Sequence, residues 1–101
     1  MFARVATFEG ADTSRIDEMI EGVRGQIESE STPEGLEGVT RVEMLVDRES
    51  GKTMGITIFE SEDALRRGDA ALNEMSPGEG GGRRVGVDMY EVALVHDFVN
   101  R

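Results

Sequence analysis

A chain of 101 residues with 38% hydrophobic and 32% charged residues has the make-up of one soluble globular domain with a single modest core. Its formal net charge of −10 repels nucleic-acid phosphate and anionic lipid, and no basic run is longer than Arg66-Arg67 or Arg83-Arg84, so neither nucleic acid nor membrane is expected as a partner. Cysteine is absent, which removes disulfides, thiol nucleophiles and thiolate metal sites, and neither a charged leader nor an apolar run of about 18 residues is found. A cytoplasmic location is the expectation.

Taken in order, Phe2 to Glu9 reads as a first strand closed by Gly10, Ala11 and Asp12. Ser14 with Asp17 resembles a capping box, and Ile16, Met19, Ile20, Val23 and Ile27 then form one apolar stripe along a helix of about four turns. Gly22 and Gly25 weaken that helix by roughly 1 kcal/mol each relative to alanine. Glu28 to Gly38 is polar and reads as a loop, with a short turn near Glu34 to Leu36. Val39 to Asp47 and Lys52 to Glu60 are strands joined by Arg48, Glu49, Ser50 and Gly51, which makes an antiparallel hairpin. Ser61 caps a second helix, with Glu62 and Asp63 in its first turn. Ala64, Leu65, Leu72 and Met75 mark its inner face, Gly68 and Ala71 add small contacts, and it ends before Pro77. Ser76 to Arg84 reads as a glycine-rich loop and Val85 to Val95 as a fourth strand. This βαββαβ order predicts an α+β, ferredoxin-like domain: a four-stranded antiparallel sheet with two helices on one face.

The strand alternation suggests one face for the helices, made of Ala3, Val5 and Thr7, Val42, Met44 and Val46, Met54, Ile56 and Ile58, and Val87, Met89 and Ala93. The other face would carry Phe2, Arg4, Ala6 and Phe8, Arg41, Glu43 and Leu45, Gly55, Thr57 and Phe59, and Asp88, Tyr90, Val92 and Leu94. Two helices cannot cover both sides of such a sheet, and the second face is too apolar to stay wet. A second copy packed sheet against sheet would cover it, so a homodimer is expected.

GITIFESEDAL at Gly55 to Leu65 and VDMYEVAL at Val87 to Leu94 resemble the antibiotic-biosynthesis-monooxygenase-like (ABM-like) family of the dimeric α/β-barrel superfamily. The resemblance extends over nearly the whole chain in element order and spacing, on motifs that are largely strand and cap signals. It implies a homodimeric barrel with a pocket within the barrel or between sheet and helices. The implied activities are cofactor-independent oxygenation of polyketide-type aromatics and haem degradation. The haem-degrading branch uses an Asn on the first strand, a Trp on the second helix and a His after it. Here that strand has no Asn, the chain has no Trp, Gly68 stands nearest the Trp position, and the only His is His96. Haem chemistry is therefore not expected, and no catalytic set carries over for the polyketide branch.

The candidate ligand-pocket residues are Arg4, Thr57, Phe59, Asp88 and Tyr90, with Phe2 and Phe8 beside them. The first and fourth strands are neighbours in this fold, so Arg4 and Asp88 are expected to pair across them. Tyr90 offers a hydroxyl and Arg4 a cation for a phenolate or carboxylate, which suits a small hydrophobic or aromatic ligand. Against this stands the reading of Arg4, Asp88 and Tyr90 as a satisfied polar seam in a dimer interface, which the residues favour somewhat. His96 with Asp97 is a weaker acid–base candidate, because adjacent residues at a strand end point apart. Gly51-Lys52-Thr53 fails as a phosphate loop: position 46 is Val46 rather than glycine, and the run sits in a hairpin. Gly78 to Gly82 with Arg83-Arg84 reads as a surface loop rather than an anion cradle. With one His, no Cys and no calcium-loop pattern, no metal site is expected, and the implied chemistry calls for neither metal nor flavin. The expected function is thus binding or oxidising a small hydrophobic molecule; the alternative is a non-catalytic homodimeric ligand-binding or interaction module.

Overall fold

The computed structural model describes residues 1–28, 34–74 and 82–98. The order is β1 (Phe2–Glu9), a 3-10 turn (Thr13–Arg15), α1 (Ile16–Glu28), β2 (Val39–Val46), β3 (Thr53–Phe59), α2 (Glu62–Asn73) and β4 (Arg83–Glu91). The strands form one sheet in the order β2-β3-β1-β4 with every neighbouring pair antiparallel. Thus β1 runs parallel to β2 and β3 to β4, each pair joined across an intervening strand by a helix. Right-handed crossovers of this kind place both helices on one face, giving the ferredoxin-like arrangement.

Local chemistry accounts for the element ends. Asp12, not Ser14, caps the first helical segment: its carboxylate accepts from the Ser14 backbone N–H at 3.0 Å and from the Ser14 hydroxyl. The charged carboxylate is the stronger acceptor and turns the serine into a donor, so the chain enters α1 through a 3-10 turn. Ser61 caps α2 as expected, accepting from the Ala64 N–H at 3.1 Å. The hairpin closes on Asp47, whose carboxylate accepts from the N–H groups of Glu49 and Ser50. Gly51 leaves that turn at φ 77°, a left-handed conformation that favours glycine, and its carbonyl accepts from the Ala11 N–H at 3.1 Å. The turn predicted near Glu34 is present, whereas residues 29–33 of that loop, Met75 and most of the glycine-rich loop lie outside the described residues.

Strand β4 begins at Arg83, earlier than the sequence pattern indicates, and ends at Glu91, not Val95. A register shift opposite Thr7 and Phe8 takes up one residue, so Gly86 faces Thr7 and Arg84 faces Phe8. At the other end, the Val92 N–H donates to the Met1 carbonyl at 2.9 Å.

The two faces differ from the sequence expectation. Register places Phe2 beside Phe59 and Glu91, Arg4 beside Thr57 and Met89, and Ala6 beside Gly55 and Val87. Arg4 bonds to Asp69 of α2, so this is the helix side. On β2, Val39, Val42, Met44 and Val46 join it. The uncovered face therefore carries Ala3, Val5, Thr7, Met54, Ile56 and Ile58 in the middle, with Arg41, Glu43 and Leu45 on β2 and Asp88 and Tyr90 on β4. The apolar series of β1 and β3, expected under the helices, points away from them. Alternation alone shows that two series exist but not which one a helix covers.

The helix-side core is small. Phe59 is fully buried with Ala64 and Leu65, and Phe2, Leu36, Val39 and Leu72 pack around them. A Cβ on Gly68 would overlap Cε1 and Cζ of Phe59, so the missing side chain is what lets α2 sit on that ring. Gly68→Ala is expected to cost about 1–3 kcal/mol through overpacking, read as a lower urea midpoint at unchanged slope.

The same turn that holds Gly51 predicts an acid response. Backbone N–H bonds from Glu49 and Ser50 hold the Asp47 carboxyl below its ordinary value of 3.8. A depressed folded-state value means the turn contributes stability above the unfolded value and loses it as pH falls through the folded one. Asp47→Asn, which keeps an accepting oxygen but does not titrate, should show a smaller loss of stability below about pH 4 in urea titrations across that range.

Candidate ligand site

Arg4 sits in the interior strand of the sheet with 4% of its surface exposed. Its Nε donates to Asp69 Oδ1 at 2.8 Å and its Nη2 donates to Asn73 Oδ1 at 3.1 Å. Asn73 Nδ2 donates in turn to Asp69 Oδ2 at 3.3 Å, and Arg84 Nη1 donates to the same Asn73 Oδ1 at 2.7 Å. Asp69 and Asn73 lie four residues apart and therefore share one face of α2, which the fold turns onto β1. The seam ties the helix to β1 and β4 at once. Among the described residues no buried side-chain nitrogen or oxygen lacks a hydrogen-bond partner. With Asp69 opposing its charge, Arg4 positions the helix rather than waiting for an anion.

The five candidates from the sequence do not share a face. Arg4 and Thr57 are direct register partners on the helix side, and Phe59 lies on that side within the core. Asp88 and Tyr90 stand on the uncovered face, beside Val5 and Ala3 respectively. β1 and β4 are indeed neighbours, but the register pairs Asp88 with Val5, so Arg4 and Asp88 point to opposite sides and cannot pair. Asp69 and Asn73 were not singled out in the sequence, and Arg84, read there as part of a surface loop, belongs to β4. Their signal was available in part: a carboxylate and an amide at i and i+4, next to the inward Leu65, Gly68 and Leu72 positions of α2.

A second feature lies on the same side of the sheet. Gly55 stands between Ala6 and Met44, and a Cβ built on it would meet no atom within 4 Å. At the start of α1 Ile16 is buried to 1%, whereas Ile27 near its end is 56% exposed. Val42, Met44, Gly55 and Thr57 share this side of β2 and β3, with Val42 43% exposed. His96 is elsewhere, on the exposed segment after β4, in edge contact with Phe98 at 4.6 Å between ring centroids. Among the described residues no three carboxylate or imidazole side chains converge as a metal site.

No protein-family model matches the chain. Two uncharacterised proteins of Mycobacterium tuberculosis, MT2634 and Rv2557, are each 32% identical to it over 94 residues, which is 90% of this chain. The chain spans 41% of the length of these relatives. Among solved structures, a candidate antibiotic biosynthesis monooxygenase from Deinococcus radiodurans superposes with a TM-score of 0.59 at 9% identity, over 99% of this chain and 100% of that one. One from Bacillus cereus gives 0.59 at 22% identity, over 99% and 98%. A dimeric ferredoxin-like protein from an uncultured marine organism gives 0.55 at 7%, over 99% and 92%. At these identities the likeness carries the fold, and the fold is the one those ABM-like and ferredoxin-like proteins share.

The seam itself makes a prediction. Asp69→Leu leaves a buried guanidinium without its counter-charge and should cost about 3 kcal/mol, whereas adding Arg4→Met to it should restore much of that loss. Urea unfolding of the two single variants and the double variant gives the coupling directly.

Proposed function

We propose that the protein is a homodimer whose uncovered sheet faces pack into one barrel, and that each subunit binds or oxidises a small hydrophobic or aromatic molecule in a trough floored by Val42, Met44, Gly55 and Thr57 on the helix side of the sheet. The observation that carries the dimer is the face turned away from α2, with Val5, Met54, Ile56 and Ile58 at its centre and, among the described residues, no helix packed on it.

For the ligand, the trough supplies an apolar floor and one hydroxyl, the composition expected of a pocket for a small aromatic. Thr57 is the proposed polar contact, with Arg4 behind it as a positioning residue and Phe59 as the wall shared with the core. Asp88 and Tyr90 are proposed to face the barrel lumen. In the ABM-like reading the substrate's own activated carbanion would react with oxygen, without flavin or metal. One observation favours the second reading, a binding module without turnover: the Arg4 guanidinium is engaged by Asp69 and Asn73, and the only imidazole stands on the exposed segment after β4.

Two measurements test this. Sedimentation at micromolar concentration should give a particle of twice 11.0 kDa, and Ile56→Glu should give single chains with an intact far-UV spectrum. A lone wild-type chain would end the barrel reading. Gly55→Val, which fits the strand and fills the trough, should weaken binding of an apolar fluorescent dye about tenfold or more without loss of stability. Oxygen consumption with anthrone-like phenols then separates enzyme from binding module: turnover abolished by the same substitution assigns the oxygenase, and saturable binding with no turnover assigns the module.

A further inference from the structure

The chain carries 21 acidic residues against 11 basic ones, so a surface arginine readily finds a counter-charge: Arg15, Arg24, Arg41, Arg48 and Arg66 each stand within ion-pair distance of a carboxylate. Arg84, near the start of β4, differs. It is exposed, and among the described residues its contact is a bond from Nη1 to the Asn73 amide oxygen at 2.7 Å, with no carboxylate at ion-pair distance. The acceptor is the Asn73 side chain and not a terminal carbonyl of α2, so the contact is not a helix cap. The same oxygen accepts from Arg4 Nη2 at 3.1 Å, which brings two guanidinium groups onto one uncharged atom. Asp69 answers one of the two charges, through Arg4 Nε at 2.8 Å, and leaves the other unanswered.

These bonds run in series. Asp69 holds both the buried Arg4 and Asn73, and Asn73 holds Arg84. A free surface arginine gives up rotamer freedom when it grips a ligand, whereas here part of that loss is already taken in folding. With Nη1 turned to Asn73, the Nε and Nη2 hydrogens of Arg84 keep the parallel fork that matches two oxygens of a carboxylate or phosphate. We infer that Arg84 is an oxyanion receptor on the helix side of β4, fixed by Asn73 with Arg4 and Asp69 as positioning residues behind it. Register puts Val87 and Met89 on the same side of β4 as Arg84, and Met89 is 47% exposed. An apolar strip leading away from a fixed guanidinium suits a small carboxylate with a hydrocarbon body better than a bare phosphate. The site is separate from the trough proposed on β2 and β3, and it needs no second copy of the chain.

The test is a nuclear magnetic resonance titration of the full, isotopically labelled chain, in which sodium benzoate, sodium acetate or inorganic phosphate replaces chloride at constant ionic strength. The Arg84 Nε–H signal and the backbone amides of β4 should shift saturably, with benzoate the tightest of the three. Arg84→Gln should abolish the saturable shift of the β4 amides. Arg84→Lys, which keeps the charge but not the fork, should weaken binding about tenfold or more. Arg83→Gln, next in the chain and on the other side of the strand, should leave it unchanged. Both arginines are exposed, and an unaltered far-UV spectrum verifies that each variant is folded. No saturable shift, an equal shift at Arg67 and Arg83, or binding undiminished in Arg84→Lys would overturn the receptor. Phosphate binding more tightly than benzoate would overturn the assignment of a carboxylate with a hydrocarbon body.

Discussion

The ion pair between Arg4 and Asp69 decides which way the sheet faces. Side chains alternate along a strand, so a guanidinium held under α2 sends Ala3, Val5 and Thr7 to the other side, and register does the same to Met54, Ile56 and Ile58 on β3. A buried, satisfied charge is weak as a source of stability, because desolvation opposes the Coulomb attraction. Its effect here is on orientation. Flipping β1 would put the same charge on a face without Asp69 or Asn73 and would leave Asp69 without its partner. One polar contact thus assigns the role of every apolar residue in two neighbouring strands.

That explains what could be read from the residues alone. The elements, their order and the antiparallel hairpin follow from local signals that the structure keeps: the Ser61 cap, the hairpin turn ending at Gly51 and the period-two pattern of β3. The expectation of an outside partner came from the same pattern, because two apolar series cannot both lie under two helices. The assignment of faces was not, since apolar content favours the wrong series in β1 and β3. Only the contact from Arg4 to a residue 65 positions later settles it. The Arg4–Asp88 pairing failed for the same reason: being on neighbouring strands does not fix parity, and the register puts Val5 opposite Asp88. The cap at Asp12 was hidden by a competing serine two residues on, where charge decided the outcome.

The division of the sheet also separates two kinds of chemistry. The helix side mixes a small aromatic core at Phe59 with a polar seam at Arg4 and an unfilled position at Gly55. The far side is apolar in the middle and charged at the edges, with Glu43 on β2 and Asp88 on β4 in the same cross-strand row as Ile56 and Val5. An apolar centre with a charged rim is the composition of an interface. The proposed partner and the proposed ligand would lie on opposite sides of one sheet, so that a substitution meant for one leaves the other's surroundings in place.

Placing β1 between β3 and β4 also has a kinetic side. Of the three ladders only β2–β3 is local; both ladders of β1 close loops of roughly fifty residues or more. The hairpin can form early, while β1, made before every other strand, stays without neighbours until much later chain has been made. During synthesis this strand is the stretch most in need of shelter from other nascent chains.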